Sequence, residues 1–476
     1  MTTYVIDTTA TWVGFQTLAQ GDRLAVTGTG ALLLPDTGFD LRGTGAASVV
    51  IAGYAWLDHL AVDWPTTLTV SGGVLSDTEN YAIGLGAAGF ATVTGTVTAA
   101  RGTGVALMGA GAGLTLSGAI TAETGIAVTG RNAHLTLTGS VTGSLLGVDL
   151  GGGAANLTNA GTITGGLRVG GDGGMPATVQ VANQGRILGD VVVGLTESGS
   201  QFWLVNAGAV TGNVTTGAST DIVTGQGLVT GNVSLGSGND RFEGRLTGTL
   251  DMGLGNDLVD ARGGVGLIRD TGGADVYRVN AAVTILDSGL GRDTVEAWTS
   301  FDLASGLEVL VLKGAGDLRG GGNDLANAMT GNAGRNLLTG GLGRDTLVGA
   351  DGADTLHGGR QEDRIYGGAG DDRINGGMGR DVLTGGAGED SFVFAPGQSL
   401  AGTPDLITDF TTGDRIDLSL LPGELTLATA FTAAAQVVVT QGTDTLIRWD
   451  INGDGQADGA VVLTGLHALT EADFWL

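Results

Sequence analysis

Aspartates at a fixed nine-residue spacing are the side chains of this sequence best suited to chemistry. From Gly331 the chain reads GNAGRNLLT, GGLGRDTLV, GADGADTLH, GGRQEDRIY, GGAGDDRIN, GGMGRDVLT and GGAGEDSFV. These segments are tandem copies of G-G-x-G-x-D-x-U-x, in which U is a large apolar residue. Glycines permit positive φ, so a tight turn can present its backbone carbonyls, and each sixth-place aspartate adds carboxylate oxygens. Successive turns of this kind can enclose a hard cation such as Ca²⁺, which takes about six to eight oxygen ligands.

The apolar U place predicts where the core lies. It falls two residues after each aspartate, and we expect its side chain to point inward from a very short strand. The U residues are Leu338, Leu347, Leu356, Ile365, Ile374, Leu383 and Phe392. Two departures weaken individual sites. Asn336 stands where the first copy should have an aspartate, and Gln361 replaces a fourth-place glycine, which predicts a strained turn.

These nonapeptides resemble those of the repeats-in-toxin (RTX) family of type I-secreted calcium-binding proteins. The resemblance covers roughly residues 231–476 and implies a parallel β-roll that binds several Ca²⁺ ions. It implies that the ligands within the tandem block are Asp345, Asp354, Asp363, Asp372, Asp381 and Asp390. More isolated copies earlier in the chain add Asp240, Asp257, Asp275 and Asp293. Asp324, in the spacer between the two groups, is a weaker candidate.

The segment WDINGDGQADG, near the end of the sequence, carries a second acidic motif. Asp450, Asn452, Asp454 and Asp458 occupy places 1, 3, 5 and 9 of an EF-hand-like loop, and Gly455 occupies place 6. Val461 stands at place 12, where such a loop needs a bidentate glutamate. The pattern therefore leaves two interpretations open, a further Ca²⁺ site and a plain hairpin turn.

The first half of the chain repeats with a period of about 22 residues. Phrases such as LTVSGGVLS, ATVTGTVT, LTLSGAIT and LTLTGSVT each precede a second short β-like segment. Short β-branched segments at a near-constant period are typical of stacked solenoids, whose coils bury a continuous core. We therefore predict an all-β chain in which a right-handed parallel β-helix, with about 22 residues per coil, runs into the calcium-binding β-roll. An antiparallel sandwich is the alternative, but it would not require a constant period.

The motifs divide the chain into five segments. We expect an N-terminal cap or first coils over residues 1–67, the β-helix over 68–234 and a first RTX block with its spacer over 235–330. The main β-roll follows over 331–393, and residues 394–476 form a closing segment with a type I secretion signal. The aromatic residues of the first segment are consistent both with a cap and with an interaction surface; they include Trp12, Phe15, Tyr54, Trp56 and Trp64.

Composition and charge narrow the class of protein. The 91 glycines follow no three-residue period, which excludes collagen, and a hydrophobic content of 42% argues against disorder. The net charge of −27 repels nucleic acid and anionic lipid and suits cations. No apolar run is long enough to span a membrane, and no cleaved N-terminal signal is recognisable. We expect an extracellular or cell-surface protein that uses a type I secretion apparatus.

Signatures of catalysis are poor. Neither H-E-x-x-H nor G-x-S-x-G occurs, and the histidines lie far apart. Parallel β-helix enzymes that modify polysaccharides need clustered basic, aromatic and acidic residues, but residues 68–230 have no lysine, four arginines and one tyrosine. We therefore predict a protein that is not an enzyme. The first hypothesis is a calcium-dependent structural protein that self-assembles into a surface layer or filament, and the second is an adhesin or matrix module that binds polysaccharide or another surface.

Overall fold

The structure, a computed structural model, describes residues 3–6, 10–11, 16–18, 23–26, 31–34, 39–43, 48–57, 60–63, 67–77, 79–171 and 174–476. It contains two compact units, Met1–Asp270 and Thr271–Leu476. Trp12, Phe15 and Trp64 lie outside the described residues, as do the side chains of Tyr54 and Trp56. The predicted aromatic surface therefore stays a prediction.

The first unit is built from short strands. They are β1 (Thr3–Ile6), β2 (Ala10–Thr11), β3 (Gln16–Leu18), β4 (Arg23–Val26), β5 (Ala31–Leu34), β6 (Phe39–Gly43), β7 (Ser48–Ile51), β8 (Tyr54–Leu57), β9 (Leu60–Asp63), β10 (Thr67–Val70), β11 (Gly73–Ser76), β12 (Tyr81–Leu85), β13 (Phe90–Val93), β14 (Thr96–Ala99), β15 (Thr103–Leu107), β16 (Gly113–Leu116), β17 (Ala119–Val128), β18 (Ala133–Leu137), β19 (Ser140–Leu150), β20 (Ala155–Asn159), β21 (Thr162–Thr164), β22 (Leu167–Gly170), β23 (Thr178–Asn183), β24 (Arg186–Leu188), β25 (Val191–Gly194), β26 (Gln201–Asn206), β27 (Ala209–Thr211), β28 (Val214–Thr215), β29 (Thr220–Val229), β30 (Val233–Ser234), β31 (Arg241–Leu246), β32 (Thr249–Asp251), β33 (Leu258–Asp260) and β34 (Leu267–Asp270). A 3₁₀ turn, Ala261–Gly263, follows β33.

Each strand pairs in parallel with its counterpart one coil later. One series runs from β1 through β4, β7, β10 and β13 to β33, and two further series start at β2 and β3. The unit is therefore a parallel β-helix whose coils each contribute to three faces. The predicted parallel fold is confirmed and the antiparallel sandwich is excluded for this unit. Strands β1–β9 belong to the same series, so residues before 68 contribute coils.

Alternation of side chains supplies the core of the β-helix. Along β18, Ala133, Leu135 and Leu137 are buried, whereas His134 and Thr136 are exposed, as a period of two requires. In successive coils the same inward place stacks into a buried column: Leu68, Ala91, Leu114, Leu135, Leu157, Val181, Leu204 and Val223. One coil thus takes about 22 residues, after which the chain returns to this column.

The repeated glycine marks a corner where consecutive coils touch. A Cβ on Gly118 would lie 1.8 Å from the carbonyl oxygen of Gly95, and a Cβ on Gly139 would lie 1.9 Å from that of Gly118. No side chain fits at such a distance, so the corner requires glycine in coil after coil. This contact explains the glycine that opens each repeat phrase.

The second unit contains β35 (Val276–Val279), β36 (Thr284–Asp287), β37 (Thr294–Ala297), β38 (Phe301–Asp302), β39 (Val309–Leu312), β40 (Arg319–Gly321), β41 (Ala328–Thr330), β42 (Leu337–Gly341), β43 (Thr346–Asp351), β44 (Thr355–Arg360), β45 (Arg364–Ala369), β46 (Arg373–Met378), β47 (Val382–Ala387), β48 (Ser391–Val393), β49 (Asp405–Ile407), β50 (Arg415–Asp417), β51 (Thr426–Ala428), β52 (Gln436–Gln441), β53 (Thr445–Asp450), β54 (Gly459–Leu463) and β55 (Phe474–Trp475). A 3₁₀ turn, Glu471–Asp473, precedes β55.

Two parallel sheets form the roll of the second unit. One contains β39, β41, β43, β45, β47 and β49, and the other contains β38, β40, β42, β44, β46, β48, β50 and β55. Within the tandem nonapeptides, paired strands of one sheet are 18 residues apart, so each turn there uses two nonapeptides. All the predicted U residues from Leu338 to Phe392 are fully buried between the sheets, which confirms the prediction. No helix among the described residues is long and apolar enough to cross a membrane.

Candidate calcium-binding site

Aspartates of the roll, most of them at the sixth place of a nonapeptide, stack into two ladders, one at each edge where the chain passes between the sheets. The first ladder contains Asp345, Asp363, Asp381 and Asp405, and the second contains Asp354, Asp372, Asp390 and Asp414. Within a ladder, the backbone N–H of each aspartate donates to Oδ1 of the aspartate in the next turn. This distance is 2.8 Å from Asp345 to Asp363 and 2.9 Å from Asp363 to Asp381.

The evidence for a bound ligand comes from the second carboxylate oxygen, Oδ2. Oδ2 has no hydrogen-bond partner among the described residues in Asp345, Asp354, Asp363, Asp372, Asp381, Asp390 and Asp405. All seven side chains are at most 2% exposed. A buried carboxylate oxygen without a partner is costly, because neither water nor the protein compensates its charge. The ladders therefore need a positive charge beside these Oδ2 atoms.

Backbone carbonyls lie beside these oxygens. A Cβ on Gly358 would lie 2.4 Å from Asp363 Oδ2 and 2.4 Å from the carbonyl oxygen of Gly376. The corresponding distances from Gly349, to Asp354 Oδ2 and to the carbonyl oxygen of Gly367, are also 2.4 Å. The first-place glycine thus leaves a space that any side chain would fill. A carboxylate oxygen and a carbonyl oxygen line this space.

This donor set fits Ca²⁺. It consists of carboxylate and carbonyl oxygens, which hard cations prefer, and the chain has no cysteine for a softer metal. The ladder aspartates and the glycine carbonyls one turn away would hold the ions. A bound ion supplies the charge that the carboxylates lack, and oxygens from successive turns would share it, which would tie the turns together.

Burial also alters the protonation of the ladders. Burial, opposed by a hydrogen bond from the backbone of Asp345 and assisted by the charges of Asp345, Asp381 and Asp405, raises the pKa of Asp363 to about 8. Burial likewise raises the pKa of Asp372 to about 7 and that of Asp381 to about 6. Without a cation, the ladder carboxylates therefore bind protons near neutral pH, at the same oxygens that would bind calcium.

Comparison with known proteins agrees with this geometry. A family model described as the RTX calcium-binding nonapeptide repeat (4 copies) matches residues 320–356, 330–365 and 357–392. The chain belongs to the RTX family. Its nonapeptides are calcium-binding repeats, and RTX repeats indicate a secreted protein.

Two solved structures are similar to part of this RTX chain. They are the AlgE6R2 and AlgE6R3 subunits of the mannuronan C5-epimerase of Azotobacter vinelandii, which are 30% and 31% identical to it. Each match covers 32% of the RTX chain, together with 89% of AlgE6R2 and 80% of AlgE6R3, and both TM-scores are 0.23. Among curated proteins, none matches the sequence.

The isolated RTX copies also place their aspartates in buried, stacked positions. The backbone N–H of Asp240 donates to Asp257 Oδ1 at 2.7 Å, and that of Asp275 donates to Asp293 Oδ1 at 2.7 Å. Carboxylate oxygens of Asp275, Asp293 and Asp287 lie within 4.8 Å of one another. Burial, together with the charges of Asp287, Asp275 and Glu308, raises the pKa of Asp293 to about 7. Asp287 and Glu308 were not predicted from the repeats.

Departures from the RTX consensus have clear structural effects. Gln361 has a φ of 76°, so the turn that lacks its fourth-place glycine adopts the left-handed conformation that was predicted to be strained. Ala350, which replaces a second-place glycine, has a φ of 85°. In the first copy, Asn336 keeps the ladder contact, since its backbone N–H donates to Asp354 Oδ1 at 2.7 Å. Asp324 is exposed, and Asn327 occupies the ladder position instead.

The EF-hand-like segment of the RTX chain forms a hairpin turn between the antiparallel strands β53 and β54. Asp450 accepts hydrogen bonds from the backbone of Gly453 and Gly455 at 2.7 and 2.9 Å. Asp458 accepts from the backbone of Ile451 at 2.7 Å and from Asn452 Nδ2 at 3.0 Å. The side-chain oxygens of Asn452 and Asp454 accept further backbone N–H groups. These bonds account for the acidic residues as turn formers, and a Ca²⁺ ion at this turn stays a prediction.

The structure adds ladder residues that the repeat pattern missed. Asp405 and Asp414 end the two ladders of the roll, where they accept the backbone N–H groups of Asp381 and Asp390 at 2.9 and 3.0 Å. Neither lies in a complete nonapeptide. Both keep the D-x-U part of the motif, with Ile407 and Ile416 as the buried residues. A search for D-x-U without the glycines would have found them.

Proposed function

We propose that this protein is a calcium-dependent structural protein of the extracellular space that self-assembles into a surface layer or filament. The observation that carries the calcium dependence is the double ladder of buried carboxylates, whose Oδ2 atoms lack partners among the described residues. These oxygens lie between stacked turns rather than in a cleft open to a substrate. Their contribution is therefore to the stability of the solenoid itself.

Calcium concentration decides the state of the second unit in this proposal. Without calcium, charged oxygens buried in successive turns repel one another and oppose the stacking of the turns. Binding stabilises the folded state as the ion concentration exceeds the dissociation constant, which is about 10⁻⁴–10⁻³ M for extracellular calcium modules. The chain would then fold after export, where calcium is abundant.

The test is a calcium titration of the full chain, followed by circular dichroism and by calorimetric counting of bound ions. We expect the β signal of the second unit to be gained with calcium and lost with EGTA. Asp363→Asn should shift the titration midpoint to higher calcium, because it removes one charge from the middle of a ladder. Asp324→Asn, an exposed carboxylate in the same unit, is the matched control. A β signal that does not respond to calcium would refute the proposal.

Self-assembly is supported by the edges of the β-helix. Within the described residues, β1, β2 and β3 pair only with β4, β5 and β6, respectively. Unpaired strand edges can template pairing with a neighbouring chain. Contacts from such an end to a different surface of the next molecule do not close and would propagate. Calcium would promote assembly because it offsets part of the repulsion between chains of net charge −27.

Negative-stain microscopy and light scattering at millimolar calcium test the assembly. We expect ordered arrays or filaments with calcium and smaller particles without it. Trp56→Ala, in β8, probes whether the N-terminal aromatics contribute to the contacts. A protein that stays monomeric at high concentration with calcium would favour the adhesin function instead.

One groove in the second unit favours that alternative. A cavity of about 480 Å³ is lined by Asp324, Thr339, His357, Arg360 and Gln398, among other residues. Hydroxyl, amide, imidazole and guanidinium groups in one groove can donate hydrogen bonds to a sugar, and Arg360 could pair with its carboxylate. If the protein forms no arrays but binds glycans, and Arg360→Ala abolishes that binding, the adhesin function would be established.

A further inference from the structure

We infer that one face of the β-helix is an interface between two copies of this chain, which pack face to face with their solenoid axes antiparallel. The face consists of the side chains that point outward from β10, β13, β16, β18, β20, β23, β26 and β29, and we call it the threonine face. The inference rests on the proposed self-assembly and deepens it, because it names the surface of a lateral contact.

The threonine face carries no ionic side chain. Two columns of outward side chains run along it in register, one from Thr67 to Ile222 and the other from Thr69 to Thr224. Neither column contains a carboxylate, a guanidinium or an ammonium group. Two chains of net charge −27 repel each other, and the repulsion is weakest where no carboxylates face each other. A second copy can therefore approach most closely on this face.

Other outward surfaces of the β-helix are charged. Arg186 in β24 and Arg168 in β22 are exposed, and Arg168 pairs with Asp149. One coil beyond β29, Arg241 and Glu243 continue the two columns. The threonine face thus ends where charged side chains begin. Depletion of charged residues is a property of the central part of protein interfaces.

Apolar side chains are exposed on the same face. Phe90 is 44% exposed, Trp203 36% and Val205 49%. The ring of Phe90 lies over the next coil, because a Cβ on Gly113 would lie 2.2 Å from a ring atom. The glycine therefore gives the aromatic ring a defined place on the sheet. Aromatic side chains that are held in this way commonly dominate the binding energy of an interface.

The positions of the aromatic residues select the antiparallel arrangement. Phe90 lies in the second of the eight strands and Trp203 in the seventh. A two-fold axis that runs parallel to the strands, between β18 and β20, therefore brings Phe90 of each copy opposite Trp203 of the other. The same axis places Thr92 opposite Val205. Each column then meets the same column of the second copy, as an isologous interface requires.

The size of the face predicts a weak, reversible pair. Eight strands at a spacing of about 4.8 Å give a length of about 40 Å, and two columns with their side chains give a width of about 15 Å. The footprint of about 600 Å² per copy is below the roughly 800 Å² of a standard interface. Lateral pairing would become persistent where contacts at the ends of the β-helix hold several copies together.

Thiol cross-linking of the full chain at saturating calcium tests the arrangement. The chain has no cysteine, so only introduced thiols react. Thr92→Cys and Val205→Cys keep both aromatic residues, and within one chain the two positions are five coils, or about 24 Å, apart. A bifunctional maleimide that spans the distance of about 10 Å between packed sheets cannot join them within a chain. We expect dimers from an equimolar mixture of the two single variants and none from either variant alone.

A charge at the centre of the threonine face is the second test. The two-fold axis places Thr136 opposite Thr158, so Thr136→Arg would bring two guanidinium groups close together with no carboxylate between them. Thr136 is exposed, so the β-helix should still fold. Below the protein concentration at which arrays form, we expect sedimentation to show a dissociation constant of the dimer about 100-fold higher. Thr142→Arg, at an exposed threonine of another face, is the matched control and should leave it unchanged.

Cross-linking of either single variant to itself, or equal dissociation constants in Thr136→Arg and Thr142→Arg, would overturn the pairing. Microscopy of the same samples separates this result from failure of the proposed function. If calcium-dependent arrays form and the mixture does not cross-link, only the inference fails. If neither arrays nor cross-linked dimers form, the proposed self-assembly fails as well. Cross-linked dimers without arrays would support the pairing and contradict the layer or filament.

Discussion

Three groups of each ladder aspartate have different roles: the backbone N–H, Oδ1 and Oδ2. In Asp363, the backbone N–H donates to Asp381 Oδ1, Oδ1 accepts the N–H of Asp345, and Oδ2 has no partner in the described structure. Asparagine could keep the first two contacts, as Asn336 shows for the backbone N–H. It would not supply the charge at Oδ2. Replacing a ladder aspartate by asparagine therefore tests the interaction with the cation while the ladder hydrogen bonds are kept.

The stability of the calcium-free protein should depend on pH with an unusual sign. An aspartate in the unfolded chain has a pKa of about 3.9. Burial raises the pKa of Asp363 to about 8, of Asp240 to about 7 and of Asp345 to about 6. The folded state therefore binds more protons than the unfolded state between about pH 4 and pH 8. The stabilisation is complete below pH 4 and is lost as the pH rises through 6–8.

Urea denaturation of calcium-stripped protein at pH 5 and pH 8 checks this prediction. We expect the midpoint to be higher at pH 5. With saturating calcium the difference should shrink or reverse, because protons and calcium compete for the same oxygens. A calcium-free protein that becomes more stable as the pH rises from 5 to 8 would contradict the prediction.

At the scale of the element, side chains stack between coils of the β-helix as well as within the roll. Asn159 Nδ2 donates to Asn183 Oδ1 at 2.8 Å, and Asn183 Nδ2 donates to Asn206 Oδ1 at 2.8 Å. All three side chains are buried. Their amides also bond backbone carbonyls, since Asn183 donates to the carbonyl oxygen of Ala209 at 3.2 Å. This asparagine ladder fixes the corner that follows β20, β23 and β26.

We predict that Asn183→Ala destabilises the first unit by about 2–4 kcal/mol, because Asn159 and Asn206 each lose a buried hydrogen-bond partner. The unfolding midpoint in urea, followed by the signal of the first unit, measures the change. Gln180→Ala, at an exposed position of the same strand, is the control and should have little effect. Equal effects of the two substitutions would mean that the ladder does not stabilise the corner.

At the scale of the whole molecule, negative charge is concentrated where the calcium sites are. Residues 231–476 carry a net charge of −19 and residues 1–230 carry −8. Low calcium therefore keeps the more acidic part of the chain repulsive and extended, and high calcium compacts it. This difference suits transport of an unfolded chain, followed by folding outside the cell.

Export is predicted to depend on the C-terminal segment, which resembles a type I secretion signal. Deletion of residues 411–476 should abolish secretion through a type I apparatus, whereas deletion of residues 1–60 should not. Fusion of residues 411–476 to an unfolded carrier supplies a gain-of-function test that does not depend on the roll. Normal secretion of the C-terminal deletion, or no secretion of the fusion, would refute the assignment.

The sequence by itself determined the features that repeat at short range. The D-x-U spacing placed Leu338 to Phe392 in the core, and the nine-residue period identified the ladder residues from Asp345 to Asp390. A fixed local pattern suffices here because each nonapeptide is one half-turn. The stacking of β-branched segments likewise followed from a near-constant period.

Only the tertiary structure decided which residues join the ladders where the period fails. Asp221 and Asp240 are 19 residues apart, Asp240 and Asp257 are 17, and Asp381 and Asp405 are 24, yet each pair is stacked by the same hydrogen bond. Asn327, not Asp324, occupies its ladder position for the same reason. Register between turns depends on the length of the intervening corner and on strand pairing, which no local motif encodes. A ladder is a contact between turns, so the fold defines its members.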